Sequence, residues 1–381
     1  FTFSLVLIIG VSTFFQYYFG ISYQILLQAD QRQYITNLVQ IFVLIINAAL
    51  VTILIRLGFN IHIVKFASAI IFILRPIFLN IYVNQKYGIV KSVEPDNNAV
   101  KQRWDGLGHH IAYLLHNNTD ITVLTLFANI KEVSVYYVYY MVVSAIRQLT
   151  VTFSTGLEAA FGNMIAKNEK EALDKNFQIF EFSIFALTTI LFTSTALLIL
   201  PFVSLYTSGV TDVNYYRPLF AYALVLAEAI YCIRIPYHSV VLAAGHFKET
   251  RNGAFAEAFL NVIISVLLVN KFGLIGVAIG TIVAMLFRTI QYAVYLSKNI
   301  LKRSIWPFVQ KTVVYSLTSL LIIIVVKSMP SIVINSYISW VVYATIVTIV
   351  ATVITFSVGL LFYFEENKNI FLIFKRLIKR S

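Results

Sequence analysis

The sequence predicts an all-α polytopic membrane protein with about eleven transmembrane helices. Three observations predict it. Hydrophobic residues make up 59% of the 381 residues and charged residues 12%, against roughly 45–50% and 25% in soluble domains. Apolar runs of membrane length recur along the whole chain. Lys and Arg gather on alternate connections between those runs. A mean hydropathy of +0.81 excludes an ordinary soluble enzyme, a disordered chain and a secreted disulfide scaffold. The single cysteine, Cys232, excludes an intrachain disulfide and a cysteine-built metal cage.

The spans follow in order, each closed by polar residues or by Pro and Gly. The first, 4–25, stops before the polar run Gln28 to Gln33, and 37–56 stops at Arg56 and Gly58. The third, 62–83, carries Arg75-Pro76 inside it, where the proline removes a backbone hydrogen bond and kinks the helix. The spans 106–128 and 133–158 are the most polar. After the charged stretch Lys167 to Lys175 come 178–204, then 217–243 opening at Arg217-Pro218, then 253–269 and 273–296 flanking Gly273. The last two, 310–328 and 336–363, flank Pro330. Ten-residue alternating strands, the mark of a transmembrane barrel, are absent from the pattern.

The charges orient the chain. Arg32, Lys86 to Arg103, Lys167 to Lys175, Lys248 and Arg251, Lys298 to Lys311 and five cations after Phe364 fall on one side. They far outnumber Arg56, Lys65, Lys131, Arg217, Lys271 and Lys327 on the other, so the first set is assigned to the cytoplasm, with the C-terminus. The net charge of +12 is thus a topology signal and not a nucleic-acid footprint. Residues 85–104, with Glu94-Pro95-Asp96, read as a cytoplasmic linker between helix bundles. Residues 365–381 read as a basic amphipathic tail, with Ile370, Phe371, Phe374, Leu377 and Ile378 facing membrane lipid and Lys375, Arg376, Lys379 and Arg380 facing its headgroups. Phe1 opens the chain directly into an apolar run, and the odd helix count leads us to expect further helices upstream.

Ionisable side chains inside spans are expensive, about 2.5–3.5 kcal/mol each on insertion scales, and mark a bundle interior or a wet cavity. Eight stand out: Arg75, Arg147, Arg234, Arg288, Asp120, Glu158, Glu228 and Glu257. At helical period, His109, Tyr113, His116 and Asp120 share one stripe. That stripe suits a proton relay or a coupling-cation site, and equally a hydrogen-bonded seam between helices. Tyr136, Tyr140, Arg147, Ser154 and Glu158 share another. Arg147 offers a guanidinium fork that matches phosphate oxygens of an anion, or an ion pair with Asp120. Tyr231, Arg234 and His238 form a row, Glu257 and Asn261 stand one turn apart, and Gly276 and Gly280 form a small-xxx-small pair for close helix approach. Arg288 is as well explained by structure as by function. The many helix-end tyrosines fit interfacial belts. No nucleotide-binding fingerprint, zinc-protease pair or hydrolase elbow occurs, so no enzymatic activity and no bound metal are expected.

Several stretches resemble a known family: LLQADQRQYITNLVQIFVLIINAALVTILIRLG (26–58), HHIAYLLHNNTDITVLTLF (109–127), VYYVYYMVVSAIRQLTVTFSTGLEAAFGNMIAKNEKEAL (135–173) and AAGHFKETRNGAFAEAFLNVIISVLLVNKFGLIGVAIGTIVAMLFRTIQYAVYL (243–296). They resemble bacterial polysaccharide flippases, the Wzx-type members of the MOP superfamily, which also holds the MATE drug exporters. The resemblance implies a MATE-like two-lobe bundle of fourteen helices, of which these eleven would be helices four to fourteen. It implies a partial N-lobe at 1–84, a C-lobe at 105–298 and two additional helices at 299–364. It also implies the cargo, an undecaprenyl-pyrophosphate-linked oligosaccharide flipped across the plasma membrane, with other polysaccharide-assembly proteins as partners. On that reading Arg75, Arg147, Arg234, Arg288 and Tyr140 bind pyrophosphate and sugar. Asp120, His116, Glu158 and Glu257 bind the coupling H+ or Na+, and no other cofactor is expected. Two other classes compete. A MATE-like cation exporter would favour an acidic aromatic cavity without central arginines, and a polymerase or acyltransferase would need a large outer loop with catalytic groups.

Overall fold

The computed structural model describes residues 2–89, 101–330 and 332–369. Among them the regular elements are helices: α1 (Thr2–Ala29), α2 (Gln33–Arg56), α3 (Ile61–Lys86), α4 (Arg103–Phe127), α5 (Ile130–Ser154), α6 (Leu157–Ala166), α7 (Lys170–Tyr206), α8 (Pro218–Ala243), α9 (Phe247–Phe272), α10 (Leu274–Tyr295), α11 (Trp306–Ser328) and α12 (Tyr337–Phe362). A π-helical turn, Leu296–Ile300, follows α10. The amphipathic tail from Ile370 and most of the 85–104 linker lie outside the described residues.

Nine helices among the described residues, α1 to α3 and α7 to α12, are long and apolar enough to cross a membrane. Eleven were expected. The two that differ, α4 and α5, are 25 residues each, about 37 Å at 1.5 Å per residue. Their length suffices, but their histidines, asparagines, charges and tyrosines lower their apolarity. Helix α7 starts eight residues before its apolar run does, at Lys170, and reaches 37 residues. The added segment KEALDKNFQ is made largely of helix formers, and Gln178 donates to Asp174 one turn back at 2.7 Å.

One expected span breaks. Helix α5 ends at Ser154, a turn follows at Thr155-Gly156, and α6 starts at Leu157. Glu158 therefore stands in the first turn of α6 and does not share the α5 stripe of Tyr140 and Arg147.

The chain divides into two compact units: residues 1–97 with 155–160, and residues 98–154 with 161–381. In the first, α1 and α2 both pack on α3. A small core of Leu27, Ile35, Leu79 and Val83 joins them. Most apolar side chains there stay exposed, as the side chains of lipid-facing helices do. In the second unit α10 packs on α9 and α8, α4 on α9, α5 and α7 on α8, and α11 and α12 on α7.

The expected small-residue pair is where α10 meets α9. A Cβ on Gly276 would lie 2.6 Å from the backbone of Leu268, and one on Gly280 2.3 Å from Ser265 Oγ. Only hydrogen fits at either position, so the two backbones touch. Helix α11 is fastened differently. Glu181 on α7, fully buried, accepts from Lys311 Nζ at 2.6 Å, from Arg303 Nη2 at 3.2 Å and from the Tyr237 hydroxyl. Lys311, sorted by sequence with the loop cations, is 3% exposed in α11 and serves as an internal counter-ion.

Candidate functional site

In the second unit six of the eight intramembrane charges meet in one network. They come from five helices, and the network is built link by link. On α5, Arg147 Nη1 donates to both carboxylate oxygens of Glu228 on α8, at 3.1 and 3.2 Å. Its Nη2 donates to the Tyr140 hydroxyl, two turns back, at 3.1 Å. The alternative partner considered from the sequence, Asp120, is not the one Arg147 takes.

One turn beyond Glu228 on α8, Tyr231 presents its ring to two cations. The guanidinium carbon of Arg147 lies 5.2 Å from the ring centre and that of Arg234 lies 4.6 Å from it. Arg234 Nη1 then donates to Glu257 Oε1 on α9 at 2.5 Å. The other carboxylate oxygen of Glu257 is 3.6 Å from Arg288 Nε on α10.

Arg288 is 2% exposed and its donors are widely engaged. Nη1 reaches the Thr250 carbonyl at 2.8 Å and Gln291 Oε1 at 2.6 Å. Nη2 reaches the Tyr292 hydroxyl at 2.7 Å and His109 Nδ1 of α4 at 3.4 Å. A guanidinium held from five directions ties α4, α9 and α10 together, the structural role weighed for it above.

Asp120 on α4 forms the other end of the site, buried at 4% exposure. Tyr136 of α5 donates to Oδ2 at 3.1 Å, and Asn261 of α9 to Oδ1 at 3.3 Å. Thr281 of α10 lies 3.0 Å from both carboxylate oxygens. Asn261 Oδ1 is 3.3 Å from the same hydroxyl and 3.2 Å from Ser265 Oγ, while the Val277 carbonyl is 3.2 Å from Thr281 Oγ1 and 3.4 Å from Ser265 Oγ. Four donors, the Tyr136, Thr281 and Ser265 hydroxyls and the Asn261 amide, face four acceptors, the two Asp120 oxygens, Asn261 Oδ1 and the Val277 carbonyl. His116, 6% exposed, adjoins this spot, with Nδ1 3.5 Å from Asn261 Nδ2.

Thus Arg147, Arg234, Arg288, Tyr140, Asp120, His116 and Glu257 are brought together. Arg75 and Glu158 belong to the first unit. Arg75 donates through Nη2 to Gln24 on α1 at 3.3 Å, while its buried Nε finds no hydrogen-bond partner. Sequence reasoning left Glu228, Tyr231, Tyr136 and Asn261 outside the site and missed Thr281 and Ser265 altogether. A signal for the last two existed. Thr281 follows Gly280, and Ser265 stands one turn from Asn261, so the close glycine contact was bound to press polar groups together.

No family model matches the chain, and no curated protein matches it in sequence. Among solved structures it matches a lipid II flippase, MurJ, in an inward closed conformation. The TM-score is 0.65 at 17% identity, over 95% of this chain and 74% of that one. The chain therefore shares the all-helical fold of that structure, in keeping with the multi-pass membrane protein that its sequence led us to expect.

Proposed function

We propose that this protein flips an undecaprenyl-pyrophosphate-linked oligosaccharide repeat unit across the bacterial plasma membrane by alternating access, for cell-surface polysaccharide synthesis. The observation that carries the reading is the pair Arg147 and Arg234 flanking Tyr231, each held by one carboxylate, in a fold shared with a lipid II flippase. Two guanidiniums around one ring offer a pyrophosphate two forks. At rest Glu228 and Glu257 occupy them, and an arriving dianion exchanges with the carboxylates. Tyr140, bonded to Arg147, offers a ring to the sugar, and Arg75, whose Nε has no partner, remains a further pyrophosphate candidate in its own unit. Arg288 works through Glu257, holding it against Arg234.

The Asp120 oxygens, with Asn261, Ser265, Thr281 and the Val277 carbonyl, take the coupling Na+ or H+. His116 and Glu257 adjust its charge from nearby, and Glu158 remains a further coupling candidate. Buried central arginines disfavour a cationic drug as cargo. The decisive experiment reconstitutes the full reading frame in liposomes and follows accessibility of a labelled undecaprenyl-pyrophosphate oligosaccharide. Movement in wild type that Arg147→Ala abolishes supports the reading; dye uptake without lipid movement, or sugar chains that lengthen, overturns it.

A further inference from the structure

A pocket of about 570 Å³ opens in the second unit at the ends of α4, α5, α8, α9 and α10, about two helical turns along α4 and α8 from Asp120 and Glu228. Three connections build it: the α4–α5 turn, the residues before α8 and the α9–α10 turn. All three belong to the set that the charge distribution assigns to the non-cytoplasmic side.

Its walls combine two kinds of group. Tyr216 and Phe272 present rings that are 55% and 46% exposed. Arg217 and Glu132 form an ion pair at 3.2 Å, and Asn129 adds an amide. Gly273, at φ +55°, turns the chain without a side chain, and a Cβ there would meet nothing within 4 Å, so that wall stays open.

The backbone around Tyr216 is braced. The Tyr139 hydroxyl, from a fully buried side chain, donates to the Tyr215 carbonyl at 2.7 Å and accepts from the Arg217 N–H at 3.0 Å. The Tyr216 N–H donates to Asn214 Oδ1 at 2.9 Å, and Lys131 Nζ donates to the Asp212 carbonyl at 3.2 Å. A ring held outward on a braced backbone is preorganised for a ligand.

The chemistry discriminates between ligands. Aromatic faces suit the C–H face of a pyranose. An Arg–Glu pair and an amide offer planar donors and acceptors side by side, matching neighbouring hydroxyls. A pyrophosphate is less well served, because the lining arginine is already paired and Glu132 repels a dianion, while of the two nearby lysines Lys131 is engaged by the Asp212 carbonyl and Lys271 lies over the Phe272 ring, outside the lining. We infer that this pocket is an outer-face saccharide subsite, which receives the uncharged glycan portion of the cargo. The identity of the cargo rests on the proposed function; the pocket itself does not.

Cys232 is the chain's one cysteine and is fully buried, so an introduced cysteine can be labelled selectively. Leu219, 70% exposed on the pocket rim, becomes the reporter as Leu219→Cys. Intact cells receive a membrane-impermeant maleimide with or without N,N′-diacetylchitobiose, maltotriose or mannotriose. We expect labelling in intact cells, slowed about tenfold by at least one of the sugars and not by inorganic pyrophosphate. Adding Tyr216→Ala or Phe272→Ala should restore the unprotected rate, with labelling in the absence of sugar showing that the variants remain folded and inserted. Labelling only after permeabilisation, protection by no sugar, protection by pyrophosphate alone, or protection that survives both ring truncations overturns the proposal. Flipping in liposomes without sugar protection removes the pocket and keeps the proposed function; protection without flipping does the reverse.

Discussion

Arg147 Nη1 lies 3.1 and 3.2 Å from the two carboxylate oxygens of Glu228, and this contact joins α5 to α8 inside the apolar bundle. Glu228 is 3% exposed and Arg147 14%, so the two lose most of their hydration together. Removing either leaves the other buried and unpaired, which costs about 3–5 kcal/mol.

Arg147→Ala should accordingly abolish flipping and also lower stability. The double variant Arg147→Met, Glu228→Gln separates the two effects. It should recover most of the thermal stability measured in detergent, because no lone charge remains, and still fail to flip lipid. Flipping by the double variant would make the pair structural.

At the other end, Asp120→Asn removes charge while keeping an oxygen for Tyr136 and Thr281. Stability should change by about 1 kcal/mol or less, and flipping should lose its dependence on a Na+ or H+ gradient. Gradient dependence equal to wild type would return Asp120 to a seam between helices.

Gly276→Ala should be more damaging than its single methyl suggests. The new Cβ would stand 2.6 Å from the Leu268 backbone, which has no flexible end to yield. Helices α9 and α10 must part, at a cost of about 1–3 kcal/mol. Because Thr281 rides on α10, cation dependence should weaken along with the melting temperature; a loss confined to stability would uncouple the crossing from the Asp120 oxygens.

Lys311→Met isolates Glu181 from its nearest cation. The variant should lose about 3 kcal/mol and expose the 301–305 connection to protease, since that connection carries Arg303, the remaining cationic partner of Glu181. Adding Glu181→Gln should restore resistance. If Lys311→Met alone leaves the melting curve unchanged, the cluster does not fasten α11.

The helices, their order and their wet faces were legible because apolar runs and a 3.6-residue period are local properties. Partners were not. The period places Arg147 on a face but does not say which helix lies opposite, so Asp120 on the preceding helix was the partner weighed and Glu228, 81 residues away, was not. Glu158 was carried onto the wrong stripe because apolarity continues through Thr155-Gly156, where the helix does not. Glu181 was overlooked although a lone acid in FQIFEFSIF is as costly as any of the eight charges that were singled out. Lys311 misled for the converse reason: near a span's end a cation reads as topology, and only the fold shows it turned inward.

The six charges of the network, three arginines and three carboxylates, cancel, as do Glu181 and Lys311 beside it. A fixed charge carried across the bilayer would exchange about 2.3 kcal/mol with each 100 mV of membrane potential. In the proposed cycle a network whose own charges sum to zero would exchange almost none. The electrogenicity of the proposed cycle then belongs to the traffic and not to the machine: the phosphates of the cargo and the cation on Asp120 are what the voltage can push.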